Sequence, residues 1–380
     1  MTKLIRGLTL ISSILLLVCL SGCVKKPPIL IGFAAQLTGK QADLGVQLLN
    51  GVQMAVEEIN ESGGINGRSL ELLFEDDFGT PQGAKDAENK LIDQGAIAII
   101  GHVTSDQTLA GYEVAEQREV LLISATAATS ELTGKDDYFY RTVVSTDAMG
   151  SGFATYIHND KKIDSIAIVY DEDNKSYSEP LVNSFVSTFQ RLSGKITTTI
   201  KFSSSQSPDY SIPVEKLKET STDAVFIIAS PYDTALIVQS IDLQTWSPAL
   251  FTSSWAQGDT LFQTGGKTLE GMEAFIGLDV NDQNPELVKF KTDYKLEFLS
   301  DPIFTAMEGY ETMQLLAKAL IKTNGTPENL GSELVGIQDF VGLTGPVKLD
   351  AFGDVLRPLV IQKINGGKFV TIKKLDVSQP

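Results

Sequence analysis

Cysteine is scarce in this chain of 380 residues. Only Cys19 and Cys23 carry a thiol, and both precede residue 24, so no disulfide can cross-link the rest of the chain. A large apolar core must therefore stabilise the fold. Histidine is equally scarce, being present only at His102 and His158, and neither lies in a Gly-x-Ser-x-Gly, His-Glu-x-x-His or phosphate-binding glycine-lysine motif. These absences argue against an enzyme, and they predict neither a metal site nor an organic cofactor.

Long apolar runs are missing after Cys23, and the one run before it is short. This run, at residues 8–18, follows Lys3 and Arg6 and precedes Leu20-Ser21-Gly22-Cys23. A basic start, a short apolar stretch and a small-residue cleavage site are typical of a secretory signal, and this ending is typical of bacterial lipoproteins. We therefore predict a signal peptide over residues 1–22, a lipid anchor at Cys23 that attaches the protein to the membrane, and an extracytoplasmic location. The alternative is an uncleaved signal anchor with a chance cysteine.

Basic residues are outnumbered in this sequence. There are 31 Lys and Arg against 48 Asp and Glu, and the formal net charge is −17. Such a surface repels phosphate backbones, so no nucleic-acid partner is expected. The acidic residues are scattered, which is typical of ordinary solubility rather than of an interaction tail. Since domains usually have about 100 to 200 residues, two lobes are expected after the signal peptide.

Short β-branched runs alternate with helical patterns along the chain. In residues 44–60, for example, Leu48, Val52 and Val56 recur at helical spacing, and Gly63-Gly64 breaks the pattern. Strands are predicted at residues 29–35, 70–75, 96–100 and 120–124, and again at residues 165–170, 197–202, 224–229 and 249–252. Such alternation implies right-handed crossovers, and it predicts an α/β fold of two doubly wound parallel-sheet lobes.

The pattern changes in the last third of the chain. Two helical stretches, residues 285–298 and 305–322, precede short strands at residues 359–364 and 369–372. The β-rich tail that follows the two helices is too small to fold alone, so the chain is expected to cross between the lobes more than once. We predict that lobe 1 comprises residues 28–143 and 277–355, and that lobe 2 comprises residues 144–276 and 356–380.

One segment near the end of the first predicted helix is distinctive. Ala55-Val56-Glu57-Glu58-Ile59-Asn60 followed by Gly63-Gly64-Ile65-Asn66-Gly67 resembles the branched-chain amino-acid-binding protein family of ABC importers. The resemblance continues through Glu75-Asp76-Asp77, Ile99-Ile100-Gly101-His102 and Gly309-Tyr310. It implies a type I periplasmic-binding fold, in which a three-crossover hinge closes two lobes around a ligand. It also implies ABC permease subunits as partners, a role that a monomer suits.

Two loops of the predicted first lobe are suited to binding an anion. In open parallel sheets, ligands bind beyond the carboxyl ends of strands, where helices begin. Thr104 and Ser105 follow the third predicted strand and precede a helix, whose free N–H groups attract anions. His102 belongs to the same loop and is a candidate for lining the cleft. Residues 125–130 follow the fourth strand, and their small side chains let a ligand approach the backbone.

The resemblance implies roles for individual residues in these loops. Ser105 corresponds to a serine that binds the ligand carboxylate, and Thr126 to a position that contributes its backbone. Ala127 lies beside it in the same segment. The threonine whose hydroxyl contacts the ligand carboxylate and ammonium corresponds to Ala128, or to Thr129 if the loop shifts by one residue.

The resemblance also places an aromatic residue where a charge is expected. The acidic residue that neutralises the ligand ammonium corresponds to Trp255. Because burying an ammonium without a carboxylate is costly, we predict a ligand without a free α-amino group and a packing wall at Trp255. Tyr177 corresponds to a tyrosine of the second-lobe wall, and Tyr232 lies within about one residue of another. Phe304 is a weaker candidate, and Tyr310 is expected to pack inside the fold.

These patterns predict a binding protein rather than a catalyst. The leading expectation is that it captures a small carboxylate for an ABC importer. A branched-chain amino acid, another neutral amino acid or an amide is the alternative ligand. The same fold also suits a ligand sensor that presents its closed form to a signalling receptor, and the sequence leaves that alternative open.

Overall fold

The computed structural model describes residues 26–39, 42–206 and 208–376. The predicted signal peptide and Cys23 lie outside these residues. Among the helices in this described part, none is both long enough and apolar enough to cross a membrane.

One sheet contains five parallel strands in the order β2-β1-β3-β4-β5. Helices cover both of its faces, so β3 and β4 are buried along their whole length and consist almost entirely of apolar residues. The strands are β1 (Ile29–Ala35), β2 (Leu70–Asp76), β3 (Ala98–Gly101), β4 (Leu121–Ser124) and β5 (Phe139–Arg141), and the intervening helices are α1 (Ala42–Glu61), α2 (Pro81–Asp93) and α3 (Ser105–Arg118).

The second sheet contains seven strands in the order β16-β15-β10-β9-β8-β6-β7. Its parallel strands are β6 (Ser165–Asp171), β7 (Lys195–Phe202), β8 (Ala224–Ile228), β9 (Ala249–Thr252) and β10 (Glu273–Ile276). The helices of this part are α4 (Thr146–Asn159), α5 (Lys175–Arg191), α6 (Ser211–Glu219), α7 (Pro231–Leu243) and α8 (Asp259–Gly265). The alternation predicted from the sequence is confirmed for these elements.

The far edge of the second sheet is antiparallel. Two small hairpins, β11 (Val341–Gly342) with β12 (Gly345–Pro346) and β13 (Lys348–Leu349) with β14 (Val355–Leu356), precede it. The edge strands β15 (Leu359–Ile364) and β16 (Phe369–Leu375) then run antiparallel to β10 and to each other. The predicted parallel sheet thus carries an antiparallel edge, whose direction the sequence did not indicate; β15 and β16 are antiparallel because a short hairpin connection can join only antiparallel neighbours.

The late helices pack on the first sheet's side of the molecule. They are α9 (Pro285–Phe298), α10 (Phe304–Lys322) and α11 (Leu330–Val335), and α10 lies along α1. Gly51 permits this close approach, since a Cβ there would lie 1.9 Å from the carbonyl oxygen of Ala306. Tyr310 packs on Phe290 and hydrogen-bonds Glu58, as expected of a structural residue.

The chain passes between the two sheets three times, after β5, after β10 and before β15. This is the two-lobe fold predicted from the sequence, although the residues at which one lobe ends and the other begins stay a prediction. The lobes also meet directly, because the Thr260 hydroxyl of α8 donates a 3.0 Å hydrogen bond to the Asp43 carboxylate of α1.

Candidate ligand-binding site

Three helices and one 3-10 turn begin where the lobes face each other. α3 begins at Ser105 beyond β3, and α5 begins at Lys175 beyond β6. The turn Ser254–Ala256 follows β9, and α10 begins at Phe304. In each sheet the carboxyl ends of the parallel strands share one edge. The two edges border the same cleft, because residues that follow β3, β6 and β9 line one cavity.

A small cavity lies between these helix starts. It encloses about 30 Å³, roughly the space of one or two water molecules. Among the described residues that line it, none is Asp, Glu, Lys, Arg or His; the lining comprises Leu44, Val103, Thr104, Ser105, Thr126, Asn174, Tyr177, Ser254, Trp255, Phe304 and Thr305. The cavity wall is therefore uncharged, and a larger ligand enters only when the walls move apart.

Three lining hydroxyls lack a hydrogen-bond partner among the described residues. They belong to Thr104, Ser105 and Thr305, all of which are buried. Thr104 precedes α3 without capping it through its side chain, and Ile303 precedes α10 with no polar side chain to offer. Buried polar groups normally find partners, and helix N-termini favour anions. The arrangement therefore suits a carboxylate that accepts hydrogen bonds from these hydroxyls.

Aromatic side chains supply an apolar wall. The rings of Tyr177 and Trp255 meet edge to face, with centroids 5.8 Å apart and planes at 76°. The Tyr177 hydroxyl lies 3.4 Å from Oγ of Ser254, and burial raises the pKa of Tyr177, so the phenol stays neutral. Phe304 lines the same cavity. This wall suits the hydrocarbon part of a ligand.

Hydrogen bonds fix the loops that carry these side chains. The Thr126 hydroxyl donates to the carbonyl of Val103 at 2.7 Å, which ties the loop after β4 to the loop after β3. Across the cleft, the backbone N–H of Asp106 donates to Oδ1 of Asn174 at 3.3 Å. The cavity walls are thus connected within the first lobe and between the lobes.

The structure brings together Thr104, Ser105, Thr126, Tyr177 and Trp255 of the predicted ligand-binding residues, since all five line the cavity. Their sequence separations are large, and only the meeting of the two lobes makes them neighbours.

Ala127, Ala128, Thr129 and Tyr232 do not line this cavity. The two alanines are buried in the loop beneath it. The Thr129 hydroxyl accepts the N–H of Glu131 at 3.2 Å, so it caps the following 3-10 turn instead of facing a ligand. Tyr232 is 39% exposed in the first turn of α7. A shift of the loop by one residue therefore does not place a Thr129 hydroxyl in the cavity.

Thr305 was not predicted, and Phe304 was predicted only as a weaker candidate. Both belong to the first turn of α10, in the part of the chain that returns to the first lobe. The sequence signal was a hydroxyl residue at a predicted helix start. A hydroxyl at a helix start can be assigned to the site only when the tertiary structure brings it to the same cavity as the start of α3.

His102 is buried behind the cavity and does not line it. Its Nδ1 lies 2.7 Å from Oδ2 of Asp77, and its Nε2 lies 3.8 Å from Oε1 of Glu88. Burial raises the pKa of Glu88 to about 7, whereas the Asp77 hydrogen bond and charge outweigh burial and raise the pKa of His102. Both pKa shifts are explained if His102 is an imidazolium paired with Asp77 and Glu88 beside it is protonated. The group is structural, because it supports the loop that carries Ser105.

Known proteins resemble this chain over most of its length. The sequence profile described as "Periplasmic binding protein" matches residues 28–368. Leu/Ile/Val-binding protein homolog 1 of Brucella melitensis is 26% identical over 335 residues, which cover 87% of this chain and 88% of that protein.

Two solved structures share the fold. A leucine-binding protein of Thermotoga maritima superimposes with a TM-score of 0.85 at 22% identity, covering 92% of this chain and 99% of that one. A solute-binding protein of an ABC transporter from R. palustris, solved in complex with benzoate, superimposes with a TM-score of 0.83 at 19% identity, covering 91% and 96%. The profile match spans both lobes and the cleft between them. The chain therefore belongs to the periplasmic binding protein family, and its two-lobe fold is the type I fold.

Proposed function

We propose that this protein is the extracytoplasmic solute-binding component of an ABC importer, and that it closes around a small carboxylate ligand without a free α-amino group. The observation that carries the proposal is the pairing of three unpartnered buried hydroxyls with an uncharged lining. The hydroxyls and the N-terminus of α3 offer hydrogen bonds to an anion. No acidic side chain of the described lining offers a charge to an ammonium, and Trp255 stands where the resemblance implies one.

The proposed mechanism is ligand-driven closure. In the open form the first lobe presents Thr104 and Ser105, and the second lobe presents Tyr177 and Trp255. A ligand that touches both walls binds the closed form more tightly than the open form, so it shifts the population towards closure. The closed form is the species that docks on the permease subunits. This role is a binding role and needs no catalytic group.

Membrane attachment is part of the proposal. A lipid on Cys23 would hold the protein at the membrane that contains its permease, as a monomer in the periplasm or at the cell surface. The test is metabolic labelling with a fatty-acid analogue: the native chain takes up the label and Cys23→Ser does not. Equal labelling of both chains would contradict the anchor.

An amino-acid ligand is the second candidate. The names of the curated relatives favour it, since the Brucella melitensis protein is named for leucine, isoleucine and valine. The benzoate complex of the R. palustris protein favours the first candidate, because benzoate is a carboxylate without an amino group.

Isothermal titration of the full-length protein in detergent distinguishes the two candidates. The panel comprises leucine, isoleucine and valine against aliphatic and aromatic carboxylates that lack an amino group. We expect the carboxylates to bind. Ser105→Ala should weaken them at least about tenfold, the typical loss of a hydrogen bond to a charged group. Ser178→Ala is the matched control, since that hydroxyl is also buried and unpartnered but does not line the cavity. Binding of the amino acids alone would overturn the proposal.

A further inference from the structure

A second chamber adjoins the uncharged cavity. It measures about 490 Å³ and lies between the lobes, on the side of β1 and β6. Thr104, Asn174 and Trp255 belong to both linings. The chamber is lined by Gln36, Gly79, Thr104, Gln107, Asp171, Asp173, Asn174, Ser204, Ser205 and Trp255. The cavity and the chamber are therefore neighbours that share the wall at Trp255.

The chamber is acidic where the cavity is uncharged. Asp171 and Asp173 are the charged residues of its described lining, and no Lys, Arg or His accompanies them. Asp171 is 1% exposed at the end of β6. Its Oδ1 accepts N–H groups of Asp173 at 3.1 Å and Ser204 at 3.2 Å. No ion pair among the described residues includes Asp171; the nearest pair in sequence joins Lys201 to Glu172.

Hydrogen bonds satisfy the Asp171 carboxylate, but nothing in the described lining neutralises it. Burial is the largest influence on this group and raises the pKa of Asp171 to about 6 despite the hydrogen bonds. A buried carboxylate without a countercharge is costly to ionise. An incoming cation would remove that cost.

A second feature of the chamber also points to a ligand. The hydroxyl of Thr104 borders both spaces, is buried and has no partner among the described residues. Trp255, the aromatic residue between the two spaces, offers a ring to which a cation is attracted. The uncharged cavity and the acidic chamber thus differ in the charge that they accept.

We propose that the chamber around Asp171 is a cation subsite, so that the ligand is a carboxylate whose far end carries an ammonium group. This inference rests on the proposed function, in which Ser105 binds the carboxylate. Ser105 belongs to the first lobe and Asp171 to the second. A ligand with opposite charges at its ends bridges the lobes and is bound fully only when they close. The ammonium lies away from the carboxylate, in keeping with the absence of an acidic side chain around the cavity.

Matched ligand pairs test this inference on the full-length protein in detergent. The probes are 4-aminobutyrate, 4-hydroxybutyrate and butyrate, then 5-aminovalerate with pentanoate, and 4-(aminomethyl)benzoate with 4-methylbenzoate. Isothermal titration should show at least one amino compound binding ten or more times as tightly as its partner without the ammonium group. Asp171→Asn should abolish that advantage and leave the affinity of the carboxylates without an ammonium group unchanged. Asp242→Asn, at an exposed position of α7, is the control that should preserve it.

The outcomes are distinguishable. Equal or weaker binding of every amino compound overturns the cation subsite but leaves the carboxylate site standing. Tighter binding of 4-hydroxybutyrate than of 4-aminobutyrate, with no amino compound favoured over its partner, also overturns it, in favour of a hydroxylated ligand. Failure of every carboxylate in the panel contradicts the proposed function, and the inference falls with it. The comparison of each amino compound with its partner on wild-type protein tests the cation subsite even if Asp171→Asn does not fold.

Discussion

The carboxylate of Asp106 accepts the backbone N–H of Ser176 through Oδ1 at 2.9 Å, across the cleft between the lobes. Its Oδ2 accepts the N–H of Lys175, also at 2.9 Å. Asp106 lies in the first turn of α3, yet it caps the N-terminus of α5. The residue before α5, Asn174, makes no cap of its own through its side chain. Because donor and acceptor belong to different lobes, these bonds should break when the lobes move apart.

Asp106→Ala should weaken ligand binding without unfolding the protein. Loss of a cap of this kind costs about 0.5–2 kcal/mol, which corresponds to a two- to thirtyfold weaker affinity. Small-angle scattering should show a larger radius of gyration for the unliganded variant. Asp209→Ala is the control, since Asp209 accepts the N–H of Ser211 within one lobe. An affinity equal to that of wild type would mean that the contact does not contribute to closure.

Thr305→Val should separate binding from stability. The substitution keeps the shape of the side chain and removes an unpartnered buried hydroxyl, so the free energy of unfolding without ligand should stay the same or increase. The affinity for a carboxylate should fall about tenfold. Titration and urea unfolding measure the two quantities. Thr292→Val, whose hydroxyl donates to the Val288 carbonyl of its own helix, is the control and should leave the affinity unchanged. Unchanged binding by Thr305→Val would remove that residue from the site.

Trp255→Glu should move ligand preference towards amino acids. The new carboxylate would stand beside the ammonium of a bound α-amino acid, and a charged hydrogen bond contributes about 1.5–3 kcal/mol. Trp255→Ala controls for the space that the substitution opens. We expect leucine to bind Trp255→Glu at least about tenfold more tightly than Trp255→Ala. Equal affinities would show that the missing charge does not set the specificity.

The raised pKa of Glu88 predicts that the stability of the protein depends on pH. The folded protein holds the Glu88 proton up to about pH 7, whereas an exposed glutamate loses it near 4.5, so the folded state binds more protons in between. The free energy of unfolding should therefore decrease as the pH rises from 5 to 8. The raised pKa of His102 acts in the same direction.

Urea unfolding of Glu88→Gln measures this contribution. Between pH 5 and 8, the free energy of unfolding should decrease in wild type by up to about 3 kcal/mol more than in the variant. Asp86→Asn, at an exposed position of the same helix, should follow wild type. Parallel curves for wild type and Glu88→Gln would show that Glu88 does not titrate in this range.

Much of the fold could be read from local patterns. The period of Leu48, Val52 and Val56 and the buried run of residues 121–123 mark a helix and a strand because each pattern reflects a face, or two faces, that must be covered. The antiparallel edge of β15 and β16 was missed, because a strand's apolar pattern does not encode the direction of its neighbour.

The candidate site was predictable where a loop follows a strand and opens a helix, as at Thr104 and Ser105. Thr129 shows the limit of such reasoning. By residue type, Thr129 is as suitable for binding a ligand as Thr104 or Ser105. Its hydroxyl, however, accepts the backbone N–H of Glu131. Competition between a local cap and a distant ligand is settled by loop conformation, which the residue type alone does not specify.

By itself the sequence determined the alternation of strands and helices, the two-lobe architecture and the family, because these depend on periodicity, length and motifs that lie together along the chain. Only the tertiary structure decided which side chains share a cavity. Ser105, Tyr177, Trp255 and Thr305 belong to separate elements that meet through two chain crossings. It also decided that Asp171 is buried without a countercharge, because burial and charge balance are properties of the assembled lobes and not of any one segment.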